Sequence, residues 1–379
     1  MRPDGNAIVY CEGAFGTSNG KTAHGLVRRT SRYVVTAVVD SKTAGKDAGE
    51  VLEGRRRGIP VVAGVEEAIA RSRADGHPAT YLVVGLAPDG GRLSATARAD
   101  VKRAIEAGLN VDCGLHDFLT EDPEMVRLAA AKAVTLRDVR KPPPRSELHF
   151  WSGKIEQVDS VRIAVLGTDS AVGKRTTAWV LVDALEASGR SAVLAGTGQT
   201  AWLQGAEYSI LLDALVNDFL TGEIEHMVWR AWSERHPDVI VIEGQGSLMN
   251  PAYPGGYEIL AAARPHLVVL QHAPARKEYD GFPGYPIQPI TEQIRAIETV
   301  SGRPVAAITV NHEHLTPAEA EAACRTLRKE TGLPAHDVLL EGGGPLVASL
   351  APRVDALRHG RPRRPASGTA PSVLAQRSG

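Results

Sequence analysis

Residues 167–177 read Gly167-Thr168-Asp169-Ser170-Ala171-Val172-Gly173-Lys174-Arg175-Thr176-Thr177. This stretch follows an apolar run at 162–166 and leads into a helix predicted over 175–188, which Gly189 ends. Glycines allow backbone N–H groups to converge on phosphate oxygens, and the helix N-terminus adds partial positive charge. A strand, a glycine-containing loop and a helix in this order predict a P-loop nucleotide-binding domain.

All eleven residues of this phosphate loop are candidates for binding a phosphate-rich cofactor, with ATP as the first expectation. Lys174 is predicted to bind the β and γ phosphates, and Thr176 is the candidate ligand for Mg²⁺, with Thr177 second. The loop departs from the common motif because five residues separate its glycines and because Arg175 stands where Ser or Thr usually follows the lysine. The alternative is a glycine turn before a helix that happens to contain a lysine.

A second apolar run, at 239–242, ends in an acid, Glu243. Ligands bind at the carboxyl ends of the strands in open α/β sheets, so Glu243 is a candidate for holding Mg²⁺ directly or through water. The alternative is an acid that caps the next turn. The polar residues that follow, Gln245, Ser247 and Asn250, are candidates for binding substrate.

Two further polar pairs follow the strand predicted at 191–195. Gln199 and Thr200 are candidates for hydrogen-bonding a substrate carboxylate, with a plain turn as the alternative. Asp213 and Asp218 are candidate catalytic carboxylates that take a proton from an attacking amine or complete the metal site. Their spacing of five does not place them on one helical face, and ordinary surface acids are the alternative.

His272 and Arg276 follow the strand predicted at 267–270. On a helix, residues four apart share one face, so the two side chains are expected to lie together. His272 is a candidate catalytic residue for proton transfer, and Arg276 is a candidate for binding a substrate carboxylate. The alternative is the solvated start of a helix.

Strands and helices alternate in both halves of the chain, which predicts α/β domains with parallel sheets. Three prolines at 142–144 interrupt this pattern and mark the predicted boundary. The expected organisation is a Rossmann-like domain over 1–145, a P-loop catalytic domain with a mainly parallel sheet over 146–358, and a disordered Pro-, Ser-, Gly- and Arg-rich tail over 359–379.

The composition favours a protein whose partners are small molecules. Of the 379 residues, 43% are hydrophobic and 23% are charged, and the net charge is −1. No basic field exists to hold nucleic acid, and no apolar run is long enough to span a membrane. The three cysteines, at 11, 113 and 324, lack metal-site spacing and fit reduced thiols, so a cytoplasmic protein is expected.

The phosphate loop and Glu243-Gly244 resemble the corresponding elements of dethiobiotin synthetase, whose relatives include cobyrinic acid amide synthases. A longer resemblance, from Ile8 to about Ser349, is to a family of formerly unknown function whose characterised members are D-glutamate N-acetyltransferases. In the first half the stretches that carry this resemblance are Glu12-Gly13-Ala14-Phe15-Gly16, Gly20-Lys21-Thr22-Ala23, Gly114-Leu115-His116-Asp117-Phe118-Leu119 and Asp138-Val139-Arg140-Lys141-Pro142-Pro143. In the second half they are the phosphate loop, Thr197-Gly198-Gln199-Thr200, Asp213-Ala214, Asp218-Phe219 and Glu243-Gly244-Gln245-Gly246-Ser247-Leu248.

These resemblances leave three functions open. The first is an ATP- and Mg²⁺-dependent ligase that forms an amide at the amine of a small, glutamate-like amino acid through an acyl phosphate. The second, implied by the longer resemblance, is an N-acetyltransferase that uses acetyl-CoA on D-glutamate. The third is a non-catalytic nucleotide switch. The sequence interpretation favours the ligase, with an amino acid and an acyl donor as partners and a homo-oligomer as the expected assembly.

Overall fold

The computed structural model describes residues 2–359, which form two compact units. One unit comprises the chain up to Pro142 together with Gln199–Ala206, and the other comprises 143–198 and the chain from Glu207 onward. The sequence predicted a single division at 145/146. It did not anticipate that a segment of the second half belongs to the first unit.

The first unit contains a six-stranded parallel sheet in the order β3-β2-β1-β4-β5-β6. Its strands are β1 (Gly5–Tyr10), β2 (Tyr33–Val39), β3 (Val61–Val62), β4 (Tyr81–Val84), β5 (Asn110–Cys113) and β6 (Leu136–Asp138). This order is that of a doubly wound, Rossmann-like fold. From Ala7 to Tyr10 both faces of β1 are buried, with Ile8 in one apolar cluster and Val9 in the other, which explains why this part of the strand is hydrophobic.

Five helices connect these strands: α1 (Lys21–Arg28), α2 (Ala48–Glu53), α3 (Val65–Ala74), α4 (Ala95–Glu106) and α5 (Pro123–Lys132). Helices α3, α4 and α5 contribute Val65, Val101 and Met125 to one of the two apolar clusters. Helices α1 and α2 contribute Leu26 and Ala48 to the other. The sheet is therefore covered on both faces, as a parallel sheet requires.

The second unit contains a seven-stranded parallel sheet in the order β13-β12-β11-β7-β10-β8-β9. Its strands are β7 (Val161–Gly167), β8 (Ala192–Gly196), β9 (Tyr208–Ser209), β10 (Val239–Glu243), β11 (Leu267–His272), β12 (Val305–Val310) and β13 (Ala335–His336). Its helices are α6 (Lys174–Ala187), α8 (Asn217–Arg235), α9 (Tyr257–Ala262), α10 (Ile290–Ser301), α11 (Pro317–Thr331) and α12 (Gly344–His359). The predicted fold class is confirmed.

Helix α7 (Gln199–Leu203) follows β8 in the chain but packs within the first unit. Leu203 lies in the apolar cluster that contains Leu26 of α1. The next residue, Gln204, donates from its side-chain amide to the carbonyl oxygens of Gly25 and Arg29, at 2.8 and 2.9 Å. Burial of Leu203 together with these hydrogen bonds fixes the segment in the first unit.

The predicted disordered tail falls outside the described residues, except for its first residue, His359, which ends α12. In residues 2–359 no helix is both long and apolar enough to cross a membrane. The cysteine thiols at 11, 113 and 324 are free and buried.

Candidate functional site

The phosphate loop leaves the second sheet from its middle strand. Strand β7 pairs with β10 on one side and with β11 on the other. Val165 of β7 is in register with Glu243 of β10, and Gly167 is in register with Gln271 of β11. Because the three strands are parallel, the loops that follow them open at the same edge of the sheet, where ligands bind in this class of fold.

The backbone of the loop places α6 directly after a sharp turn. Gly173 has a φ of 107°, in the left-handed region that favours glycine, and no side chain caps the N-terminus of α6. Lys174 is only 7% exposed, and its Nζ lies 2.7 Å from the carbonyl oxygens of both Asp169 and Gly246. The lysine therefore joins the phosphate loop to the loop after β10.

The carboxylate of Asp169 is completely buried and faces into the protein. One oxygen accepts hydrogen bonds from the backbone of Ser170 at 2.6 Å and from the side-chain amide of Asn250 at 2.8 Å. The other accepts from Arg276 Nη1 and from the backbone of Asp280, both at 2.9 Å. This side chain therefore holds the phosphate loop and the loops after β10 and β11 together.

Arg276 does not lie on a helix with His272, so that part of the prediction is wrong: His272 ends β11 and Arg276 lies in the irregular segment that follows. Its guanidinium donates to Asp169, to the Ser170 carbonyl oxygen at 2.8 Å and to both carboxylate oxygens of Glu313. Burial opposes the charged form, but the carboxylates of Glu313 and Asp169 outweigh it and raise the pKa of Arg276. Substrate binding by Arg276 stays a prediction; the geometry gives it a role in positioning the loop.

Asn250 is also used within the protein. Its side chain is 1% exposed, and its oxygen accepts from the backbone N–H groups of Ala252 and Tyr253 at 2.8 and 2.9 Å while its nitrogen donates to Asp169. The nearby Ser247 is equally buried, and its backbone oxygen accepts a hydrogen bond from the Gly255 N–H at 3.1 Å. Both residues shape the loop after β10, and their predicted contact with substrate remains untested.

Glu243 lies at the carboxyl end of β10, as predicted, and is 5% exposed. One carboxylate oxygen accepts from the backbone of Thr197 at 2.9 Å, and the Thr197 hydroxyl accepts from the side-chain amide of Gln245 at 2.9 Å. Burial raises the pKa of Glu243, and the positive charges of Arg175 and Lys174 oppose that effect. The acid, the loop after β8 and the phosphate loop thus share one electrostatic environment.

The two predicted Mg²⁺-binding hydroxyls differ in their surroundings. Thr177 is 1% exposed and donates to the side-chain oxygen of Gln271, which also accepts from Thr309 at 2.6 Å. The Thr177 hydroxyl is therefore already used in a hydrogen bond to a side chain of β11. Thr176 is half-buried on the first turn of α6. Within residues 2–359, no group of three or more His, Cys, Asp or Glu side chains is arranged to hold a metal ion.

His272 lies at the end of β11, and its Nδ1 is 3.0 Å from the hydroxyl of Thr168 in the phosphate loop. Burial lowers the pKa of His272 to about 4, with a smaller contribution from Lys277. The ring is therefore neutral near pH 7 and is a weak proton acceptor.

Asp213 and Asp218 lie on separate elements at the same end of the sheet. Asp213 is exposed on a single 3₁₀ turn, Leu212–Ala214, whose first residue donates its backbone N–H to the Thr197 carbonyl oxygen at 3.2 Å. Asp218 is exposed in the first turn of α8. The backbone hydrogen bond through Thr197 connects Asp213 to the loop that holds Glu243.

Gln199 and Thr200 begin α7 and belong to the first unit. Thr200 is 3% exposed, and its hydroxyl lies 2.9 Å from the hydroxyl of Thr22. The side chain of Gln199 packs close to Gly114, where an added Cβ would lie 2.9 Å from Gln199 Cγ. Both side chains thus have partners within that unit, and their predicted contact with substrate is untested.

The sequence interpretation missed two side chains of the site, Thr197 and Gln271. Gln271 is 2% exposed and carries the hydrogen bonds that orient Thr177. A glutamine at the end of the otherwise apolar run 267–270 is an unusual buried polar residue, and this signal was available in the sequence. Thr197 lies in one of the stretches that carry the family resemblance, but it was not singled out there as a site residue.

Comparisons with known proteins cover both halves of the chain. The Rossmann-like domain of unknown function DUF1611_N matches residues 41–142, and the P-loop domain of unknown function DUF1611_C matches residues 149–347. A D-glutamate N-acetyltransferase from Tritonibacter scottomollicae is 32% identical over 283 residues, which cover 72% of this chain and 81% of that protein. A D-glutamate N-acetyltransferase from a Pseudoalteromonas species is 31% identical over 278 residues, with the same two coverages.

A crystal structure of a DUF1611 family protein from Anabaena variabilis is 31% identical and superposes with a TM-score of 0.83. The match covers 92% of this chain and 100% of that one. Sequence similarity and fold thus agree over nearly the full length of the chain. The protein belongs to the DUF1611 family, with its N-terminal Rossmann-like domain and its C-terminal P-loop domain.

Proposed function

We propose that the protein transfers an acyl group, acetyl in the first instance, from a CoA thioester to the amine of a small acidic amino acid such as D-glutamate. The observation that carries this proposal is the similarity to two D-glutamate N-acetyltransferases over 72% of the chain. An aligned length of 283 residues exceeds either domain, so the similarity involves both domains and not only a shared phosphate loop.

The phosphate loop is the proposed site for the phosphates of the acyl donor. CoA contains an adenine nucleotide with a pyrophosphate, which suits the uncapped N-terminus of α6 and the charge of Lys174. Lys174 is held by two carbonyl oxygens, each at 2.7 Å, and phosphate oxygens are stronger acceptors that would draw it into the loop. The residues present therefore fit a phosphate-bearing donor.

The proposed reaction needs a free amine. The nitrogen attacks the thioester carbonyl carbon, the C–S bond breaks, and the CoA thiolate leaves with the electron pair, while the amine loses a proton to a base. His272 is the less accessible candidate for that base, because its ring is partly buried and its Nδ1 lies 3.0 Å from the Thr168 hydroxyl. We assign the role to Asp213, which is exposed and is connected through Leu212 and Thr197 to the loop that holds Glu243.

An ATP-dependent amide ligase is the second candidate. Thr176 on the first turn of α6 and the acid at the end of β10 favour it, since both are elements that hold Mg-ATP in related loops. Arg175 counts against it, because it stands where the metal-binding hydroxyl is usual. Both functions form an amide at an amino-acid nitrogen and differ in what activates the acyl group.

The test incubates the purified protein with D-glutamate, and separately with L-glutamate, under two conditions: acetyl-CoA with EDTA, or acetate with Mg-ATP. Free thiol, ADP and the mass of the N-acetylated product are followed together. The proposal expects product and thiol in equal amounts with acetyl-CoA in EDTA. Product formed only with Mg-ATP, together with ADP, would establish the ligase instead, and no product under either condition would refute both.

Two lysine variants make the result specific to the phosphate loop. Lys174→Ala removes the buried cation of the loop, and Lys329→Ala removes an exposed lysine on α11 of the same unit. We expect the first to lower kcat/KM for acetyl-CoA by at least roughly tenfold, since a charge-assisted hydrogen bond contributes about 1.5–3 kcal/mol. The second should match the wild type.

A further inference from the structure

The phosphate loop carries a cation at an unusual position. In loops of this class the residue after the lysine is Ser or Thr, and its hydroxyl binds the Mg²⁺ that accompanies the phosphates. Here that residue is Arg175, the second residue of α6. The first turn of α6 therefore carries a permanently charged side chain at the position where other loops have a metal-binding hydroxyl.

Neither neighbouring threonine stands at the usual position of the metal-binding hydroxyl. Successive residues of an α-helix are rotated by about 100° around its axis, so Thr176 projects in a different direction from the residue at 175. Thr177 is 1% exposed and its hydroxyl donates to Gln271, which is also held by Thr309. The Thr177 hydroxyl is thus already engaged, and Thr176 starts from a different side of the helix than the usual hydroxyl.

The acid at the end of the adjacent strand is also engaged. Glu243 is 5% exposed, and one of its oxygens accepts from the Thr197 N–H at 2.9 Å. Burial raises the pKa of Glu243, and the positive charges of Arg175 and Lys174 oppose that rise. Since the residue after Lys174 is a cation and the Thr177 hydroxyl already donates to Gln271, the residues present do not fit Mg²⁺ at its usual place in the loop.

We propose that Arg175 takes the place of the divalent cation, so that the loop binds phosphate groups without Mg²⁺. A guanidinium is planar and permanently charged, and it can donate two parallel hydrogen bonds to a phosphate. A metal ion instead contacts the phosphate through its coordination sphere. The inference rests on one part of the proposed function, namely that the phosphate loop binds the phosphates of the acyl donor. It makes the site metal-independent, with CoA or a nucleoside diphosphate as ligand.

The experiment measures the affinity of the full-length protein for CoA, and separately for ADP, by calorimetry in EDTA and in Mg²⁺. For the wild type we expect dissociation constants that differ by less than about twofold between the two conditions. Arg175→Thr should weaken binding in EDTA by roughly tenfold or more, the size of one lost charge-assisted bond. Part of that loss should return with Mg²⁺, because the variant restores the usual hydroxyl.

Two controls separate the charge from the fold. Arg175→Lys keeps the positive charge and should bind in EDTA between the wild type and the threonine variant. Arg295→Thr, an exposed arginine on α10, should match the wild type. Circular dichroism and thermal unfolding establish that each variant is folded.

Three results would overturn the inference: wild-type binding that tightens about tenfold or more with Mg²⁺, an Arg175→Thr variant that binds like the wild type in EDTA, or no binding of either ligand to the wild type. These outcomes are distinct from failure of the proposed function. Metal-independent binding of ADP or CoA without acyl transfer would support the role of Arg175 and refute the transferase.

Discussion

Arg276 donates to the completely buried carboxylate of Asp169 across 2.9 Å, although the two residues are 107 positions apart in the chain. The same guanidinium also holds Glu313 of the loop after β12. An ion pair at the base of a ligand loop adds little net stability by itself, but it fixes one arrangement of the three loops. The shape of the phosphate loop therefore depends on a side chain from the loop after β11 and on its partner in the loop after β12.

Removing the guanidinium should be costly. Arg276→Ala leaves the buried carboxylate of Asp169 without its cation, so we expect a loss of about 3–5 kcal/mol in the free energy of unfolding. Arg295→Ala on the exposed face of α10 should change stability by no more than about 0.5 kcal/mol. Denaturant titration of both variants checks this. Equal effects in the two variants would contradict the central role of the Asp169–Arg276 pair.

A substitution at Asn250 tests a second side-chain contact of the Asp169 carboxylate. Asn250→Asp replaces the amide that donates to Asp169 at 2.8 Å with a second carboxylate in a 1% exposed position. We expect destabilisation of roughly 3 kcal/mol at pH 8, because two buried like charges then face each other. The deficit should shrink as the pH falls toward 5, since a proton shared by the pair restores the hydrogen bond.

Asn250→Ala is the matched comparison. It removes the side-chain hydrogen bonds without adding charge, so its cost should not depend on pH over the same range. Thermal unfolding of both variants from pH 5 to pH 8 measures the difference. If the aspartate and alanine variants showed parallel pH profiles, the Asp169–Asn250 contact would be absent in solution.

The sequence predicted the central strands well because each is buried on both faces. The runs 239–242 and 267–270 lie within β10 and β11, which begin at the same residues, since continuous β-branched and apolar residues are typical of central parallel strands. The short edge strands β3, β9 and β13 were missed, because each has only two residues and no pattern can be read from so few.

The sequence placed two candidate residues at the correct edge of the sheet but did not predict the side-chain contacts around them. Lys174 and Glu243 were identified because a motif and a strand end place them at the carboxyl edge. The partners of Asp169 could not be predicted, since they come from distant parts of the chain and depend on tertiary packing. The helix expected after His272 is absent, and Arg276 is instead held by Asp169 and Glu313.

The buried ring of His272 should make stability depend on pH. Its pKa is about 4 in the folded protein and 6.5 in the unfolded chain, so the unfolded chain binds more protons between these values. The free energy of unfolding is therefore highest above about pH 6.5 and falls as the pH decreases toward 4. We expect this residue alone to account for a loss of about 2 kcal/mol between pH 7.5 and pH 5.

His272→Asn removes the titration while keeping a polar atom near Thr168, so its unfolding free energy should fall less over that range. His314→Asn, at an exposed position with a φ of 59° that asparagine tolerates, is the control and should follow the wild type. Denaturant unfolding at the two pH values measures the difference. A His272→Asn variant as pH-sensitive as the wild type would show that the ring is not buried in solution.

The segment after the three prolines packs against α8, and Gly222 lies at that contact. Alanine in place of a helical glycine usually stabilises a protein by about 0.5–1 kcal/mol. At Gly222 a Cβ would lie 2.0 Å from the backbone oxygen of His149, so Gly222→Ala should instead destabilise the protein by about 1–3 kcal/mol. Gly344→Ala, at the start of α12 with open space around it, should be neutral or slightly stabilising. The backbone at His149 cannot move away easily, because the Glu223 carboxylate accepts its N–H at 2.6 Å. Thermal unfolding should therefore show changes in stability of opposite sign for the two variants. A stabilised Gly222→Ala variant would mean that the segment at His149 is loose in solution.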